Sequence, residues 1–328
     1  MSQPADDFLI DLQQITRRYG EFVALREVTL QLPPGRIGLL GPNGAGKSSL
    51  LKLLMGLLPA TSGSGKILGQ TLQIGEIKEA NWELRRMIGF MPEADALVPG
   101  LRGVDYVTLA GELYGMPRRQ AQRRAHEVLT YLELEDARYR NLETYSTGMK
   151  QRLKLAQALV HDPPMLLLDE PTSGLDPASR DTMLRLLLEL GRDHGKSMLL
   201  STHLLADVER VCERVVILFN GEVRGQGTVE ELCARRQDRY RISVHGDATQ
   251  FRQALQRQQV TILPDSSPLD LRVLVPPQWS NRQFFTLAAE SGVVLRQMQR
   301  DDETLEELFL RSVAADKDLA TSDAARRG

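Results

Sequence analysis

One stretch of the chain is built to hold phosphate: Gly41-Pro42-Asn43-Gly44-Ala45-Gly46-Lys47-Ser48. Its spacing fits G-x-x-x-x-G-K-[ST]. Glycines let backbone N–H groups turn inward and approach phosphate oxygens without a Cβ in the way. The helix expected from about Lys47 to Met55 adds its positive end. Lys47 is placed to reach the β- and γ-phosphates, and the Ser48 hydroxyl to bind Mg²⁺, with Ser49 beside it. A second stretch, "PMLLLDEPTSGLDP", ends an apolar run in two acids. Such a run reads as a central parallel strand, and its carboxyl end is where ligands bind in open α/β sheets. Asp169 there suits Mg²⁺, held directly or through water. Glu170 suits a base that polarises an attacking water. Paired acids after a strand also serve as helix caps or solvated loops, but the glycine loop upstream favours the catalytic reading.

Positioning these groups requires a particular frame. Phe8–Leu32 alternates apolar and polar residues around a turn at Tyr19–Gly20, which reads as antiparallel strands. Arg36–Leu40 reads as a short buried strand leading into the glycine loop. Residues from about 92 to 160 carry apolar residues at three- and four-residue spacing and read as a helical insertion, ended by Pro163-Pro164. Strand Met165–Leu168, helix Pro177–Leu190, strand Ser197–Leu200, helix Leu204–Cys212 and strand Val215–Phe219 then alternate. That order implies a mostly parallel sheet with helices on its faces. Asp176 is placed to cap the Pro177 helix. The glycine-rich Gly221–Gly227 reads as a boundary. The expected organisation is a core over 1–230, a small α+β domain over 236–312, and a disordered polar tail over 314–328.

Composition narrows the class. The 328 residues are 42% hydrophobic and 26% charged, with net charge -2 and pI near 6.3, so bulk charge does not call for nucleic acid. Cys212 and Cys233 lie in no metal-binding pattern, so neither zinc nor a disulfide is expected. "MSQPADDFLI" lacks a basic region followed by a long apolar one, so no secretory leader is expected. No apolar run approaches the roughly 18 residues of a membrane span.

Four segments in order, "GPNGAGKSS", "YSTGMKQRLKLAQAL", "LLLDEPTSGLD" and "STH", resemble the ATP-binding subunit of an ABC transporter over about residues 8–230. The serine–threonine–glycine form of the second segment and the C-terminal extension bring the likeness nearest to ABC-2-type exporters. The resemblance implies an α/β ATPase fold in which an antiparallel β subdomain and a helical subdomain flank a mostly parallel sheet. It implies ATP and Mg²⁺ as ligands, with Gly41 to Ser49 binding ATP and Lys47, Glu170 and His203 catalytic. Tyr19 resembles the aromatic that stacks on adenine, though it also reads as an ordinary strand tyrosine. His203 resembles the switch histidine at the γ-phosphate.

The resemblance further implies that Ser146, Thr147, Gly148 and Met149 form the signature that meets the partner subunit's ATP. Thr147 and Met149 depart from the commoner leucine–serine–glycine–glycine–glutamine form, while Ser146 and Gly148 keep it. Ser173, Gly174, Leu175 and Asp176 resemble the loop that meets the partner subunit. Glu93 stands where the family often has glutamine. A carboxylate about 4 Å from a phosphate charge is repelled by roughly 4 kcal/mol at an effective dielectric of 20. Glu93 therefore sits by Mg²⁺, takes a proton, or points away. The implied assembly is a homodimer, or a pair with a similar subunit, sandwiching two ATP. Its implied partner is a transmembrane permease, and its implied place is the inner face of the cell membrane. "TLEELFLRSV", near residue 304, resembles the closing helix of exporter subunits.

Overall fold

The computed structural model describes residues 8–76, 81–94, 97–233, 239–263, 266–301 and 307. It divides into two compact units, the first ending at Thr228 and the second beginning at Val229.

The first unit opens with β1 (Ile10–Tyr19) and β2 (Phe22–Leu32), paired antiparallel with Tyr19 opposite Phe22. Gly20 sits between them at φ 57°, the left-handed conformation a tight hairpin needs. β3 (Arg36–Leu40), buried at every residue, leads through the glycine loop into α1 (Lys47–Leu54). β4 (Ser62–Ile67) and β5 (Gln70–Thr71) complete a four-stranded sheet in the order β2-β1-β4-β5. Next come α2 (Trp82–Met87), capped by Asn81, and β6 (Ile88–Met91). The helical region follows as α3 (Gly103–Leu113), α4 (Arg118–Tyr131) and α5 (Thr147–Leu159).

The chain then returns to the core as β7 (Met165–Asp169), α6 (Pro177–Arg192), β8 (Ser197–Thr202), α7 (Leu205–Val211), β9 (Arg214–Phe219) and β10 (Glu222–Thr228). The central sheet runs β10-β9-β3-β8-β7-β6, parallel except for its β10 edge. Every residue of β3, β7 and β8 is buried, as expected of parallel strands covered on both faces. Ile10, Leu30 and Ile67 of the antiparallel sheet share one core with Leu39, Leu51, Leu167 and Val216. That shared core fixes the antiparallel sheet against the glycine loop and its helix.

Two strands differ from the sequence reading. "EVRGQGT", read as a boundary, is β10, paired with β9 through a register shift between Val223 and Gly225. "SGSGKI" is β4 and was not read as a strand. Glycine weakens a strand's local preference but keeps both backbone hydrogen-bonding groups, so pairing with a neighbour overrides it. α2 was likewise not read as a helix, because one and a half turns give too little periodicity to detect.

The second unit holds α8 (Val229–Cys233), β11 (Arg239–His245), α9 (Thr249–Arg257), β12 (Thr261–Ile262), β13 (Asp270–Leu274), α10 (Asn281–Glu290) and β14 (Val294–Arg300). Its antiparallel sheet runs β12-β13-β11-β14. Phe251 of α9 and Phe284 of α10 are buried with Ile242 and Val273 of that sheet. α10 starts in a capping box formed by Ser280 and Gln283. The closing helix near residue 304 lies outside the described residues except for Glu307, which pairs with Arg239. The tail over 314–328 also lies outside them.

Candidate functional site

The glycine loop is held open by contacts that only glycine permits. A Cβ on Gly41 would lie 2.3 Å from the Leu218 carbonyl oxygen, and one on Gly46, at φ 104°, would lie 2.5 Å from that of Ala24. The loop therefore rests directly on the backbone of β9 and β2. Lys47 opens α1 and is buried, its Nζ donating to the carbonyls of Gly41 at 2.7 Å and Pro42 at 3.2 Å. These loop carbonyls hold the ammonium at the mouth of its own cradle.

β7 lies two strands from β3 in the sheet, beyond β8, and brings its acids to the same end. Glu170 takes a left-handed φ of 49°, and its N–H donates to Ser201 O at 2.9 Å, pinning the acid to β8. Its carboxylate is 6% exposed, with Oε1 3.5 Å from Lys47 Nζ and Oε2 3.0 Å from His203 Nδ1. His203 follows β8 and is about half exposed. Burial strengthens a charge pair by lowering the local dielectric, so Lys47 and Glu170 fix one another.

Lys47 and Glu170 face a cavity of about 300 Å³ lined by Pro42 through Ser49, Glu93, Asp169, Glu170, Phe22 and Ala24; neither His203 nor Gly41 is among its lining residues. Asp169 Oδ1 and Glu170 Oε1 are buried there without a hydrogen-bond partner. The Asp169 oxygen, in the same cavity as the Ser48 hydroxyl, fits a hard cation, while Glu170 Oε1 faces Lys47. Mg²⁺ usually takes only one or two carboxylates plus phosphate oxygens and water.

Not every expected residue reaches this cavity. Tyr19 does not line it; the Arg17 guanidinium lies 4.6 Å from its ring centre. Phe22, across the hairpin, lines it instead. The sequence reading names Tyr19 alone; which aromatic of the hairpin reaches the cavity is set by the pairing of β1 with β2.

None of Ser146, Thr147, Gly148 and Met149 lines the cavity either. Ser146 caps α5 and accepts a hydrogen bond from Met149 N at 3.3 Å. Ser146 and Thr147 are exposed, while Gly148 is buried where a Cβ would meet Ser179 Oγ at 2.7 Å. Gln151 of α5 donates to Ser173 O. The signature and the Ser173–Asp176 loop thus form one face. Asp176 caps α6, and hydrogen bonds from Ser179 backbone and side chain hold its carboxyl below the usual range.

Sequence reasoning missed a buried relay behind the acids. Asp207 of α7 accepts from Thr172 Oγ1 at 2.5 Å and from Arg180 Nε at 2.7 Å. This ties the loop after Glu170 to the helix after His203. The available signal was an aspartate inside the apolar stripe of α7, beside Val208 and Val211.

Comparison with known proteins agrees with this geometry. The family model described as "ABC transporter" matches residues 25–173. The ABC transporter ATP-binding protein YxlF of Bacillus subtilis (strain 168) is 33% identical over 309 residues, covering 94% of this chain and all of that one. The Nod factor export ATP-binding protein I of Cupriavidus pinatubonensis (strain JMP 134 / LMG 1197) is 32% identical over 245 residues, 74% of each chain. A dimeric post-hydrolysis structure of the ATP-binding cassette MJ0796, bound to ADP and Pi, superposes with a TM-score of 0.61. It is 29% identical and covers 67% of this chain and 98% of that one.

Proposed function

The chain belongs to the ABC transporter ATP-binding family and is an ATPase subunit of such a transporter; from that premise we propose that two copies close head to tail around two ATP and drive a separate membrane-embedded exporter. One observation carries this reading. The phosphate loop, Asp169 and Glu170 line one cavity, whereas the exposed N-terminal end of α5 at Ser146 does not. A helix end with free N–H groups and a hydroxyl is suited to a phosphate, and a second copy supplies it by two-fold reciprocity. The dimeric cassette among the structural neighbours supports the same pairing.

Within each site, Lys47 exchanges its loop carbonyls for β- and γ-phosphate oxygens. Glu170 accepts the proton of the attacking water, and His203, bonded to that carboxylate, orients it toward the γ-phosphate. Ser48 and Asp169, with Glu93 at the rim, would hold Mg²⁺, which when bound neutralises phosphate charge. Phe22, which lines the cavity, frames the adenine side. Loss of the γ-phosphate removes what joins the two copies, and they separate.

Among the described residues, no helix is long and apolar enough to cross a membrane, which supports a separate permease. A groove lined by Trp82, Arg85, Arg86, Leu113 and Tyr114 supports a docking place for it, because Trp82 and Leu113 are 64% and 74% exposed. Export as the direction is supported by the Nod factor export relative.

The test is Glu170→Gln. General-base removal costs on the order of 10²–10⁴ in rate, so steady-state ATP hydrolysis should fall by that factor while Mg-ATP binding persists. Turnover within twofold of wild type would remove Glu170 from the role of base.

A further inference from the structure

Lys154 is a charged residue in an unexpected place. It lies in the second half of α5, is 1% exposed, and is among the largest fully buried side chains in the molecule. Its Nζ donates to the carbonyls of Pro92 at 3.1 Å and Glu93 at 2.8 Å. A buried ammonium is costly unless hydrogen-bonded, and backbone carbonyls at a strand end have no ladder partner of their own. The contact therefore satisfies both sides. It also joins two parts of the site with different tasks. Glu93 follows β6 and lines the nucleotide cavity of its own subunit. The same helix begins at Ser146, about 12 Å away at 1.5 Å rise per residue, on the end that lies outside that cavity.

The geometry points to Lys154 as a positioning residue that holds the Pro92–Glu93 turn in the frame of α5. Movement of the signature end against nucleotide in the partner subunit then carries Glu93 with it at this subunit's own cavity. The inference rests on the paired-subunit reading above and adds to it a path between the two ATP sites. A helix is a rigid element, and a side chain clamped to two carbonyls transmits its displacement rather than absorbing it. Lys154 does not itself line the nucleotide cavity, and its bonds to the Pro92 and Glu93 carbonyls connect it to the turn that does.

The test uses the full-length chain and steady-state hydrolysis across ATP concentration. Lys154→Met should lower kcat at least tenfold while KM for ATP stays within threefold, because the phosphate loop is untouched. Glu93→Ala should cost at least tenfold in the native background but less than threefold once Lys154 is methionine. Backbone hydrogen exchange at Glu93 and Ala94 should speed up at least tenfold in Lys154→Met, and Mg-ATP should no longer slow it. Lys154→Gln, which keeps a donor at shorter reach, provides a second variant should the methionine form fail to fold. Its kcat should lie between the two, with exchange raised in proportion.

A folded variant at position 154 with native kcat overturns the assignment. So does a lowered kcat with unchanged exchange at Glu93 and Ala94, or losses that simply multiply with Glu93→Ala. If the native chain hydrolyses ATP and pairs but these variants behave natively, only the coupling fails. If the native chain does neither, the paired-subunit reading fails with it.

Discussion

Replacing Gly41 by alanine should damage nucleotide binding far more than replacing Gly44, although both belong to the same loop. The alanine Cβ at position 41 would lie 2.3 Å from the Leu218 carbonyl oxygen and 3.0 Å from Ala45 Cβ. Ordinary contact begins near 3.4 Å, so the loop must retreat from β9 by about 1 Å. Gly41 O also accepts the shorter Lys47 hydrogen bond, so the retreat displaces the ammonium as well. A misplacement of about 1 Å costs roughly 10²-fold where several groups must converge, and overpacking adds about 1–3 kcal/mol to the folding cost. At Gly44, φ is 82° and an added Cβ meets nothing within 4 Å. The penalty there is left-handed backbone strain alone, about 1–2 kcal/mol. Isothermal titration with Mg-ATP, paired with urea unfolding, separates the two effects. Gly41→Ala should bind about 100-fold more weakly, and Gly44→Ala less than 30-fold more weakly, about 2 kcal/mol at most. Equal losses, or a reversed order, would refute the argument that the cradle's contact with β9 sets its shape.

Arg180→Leu leaves the Asp207 carboxylate buried with the Thr172 hydroxyl still donating to it. Breaking a buried pair costs about 3–5 kcal/mol, and because Arg180 is itself 32% exposed, the lower end applies. For a unit of this size that lowers the unfolding midpoint by about 6–12 °C, read by calorimetry; a midpoint within 2 °C of native would sink it. Asp176 has a lowered folded-state pKa, so its contribution is present above the ordinary carboxyl range and lost as pH falls through the lowered value. The stability difference between native protein and Asp176→Ala should therefore be constant near neutrality and shrink below about pH 4. A difference that grows on acidification would contradict the sign.

The parts legible in the sequence were those where chemistry and local pattern coincide. Gly41 to Ser48 follow the short strand Arg36–Leu40, and Asp169 and Glu170 end an apolar run, so motif and strand reinforce each other. Asp176 was legible as a cap because Pro177 follows it, and its side chain does accept from Ala178 N and Ser179 N. Illegible parts depended on partners distant in sequence. β10 looked like a linker because its glycines conceal a strand that exists through pairing with β9. Phe22 was missed because which aromatic of the hairpin lines the cavity depends on strand pairing. Lys154 read as one more polar residue on a helix, since nothing local reveals that the end of β6 needs its donors. The relay through Asp207 joins Thr172 and Arg180 from 35 and 27 residues away.

The central claim is that ATP joins two copies of this chain through the end of α5. Its most direct measurement is the mass in solution of the Glu170→Gln protein, by sedimentation or light scattering, with and without saturating Mg-ATP. The protein should be a monomer without nucleotide, a dimer with Mg-ATP, and a monomer again when Ser146→Arg is added to the same chain. A Glu170→Gln protein that binds Mg-ATP with native affinity yet stays monomeric at every concentration would contradict it.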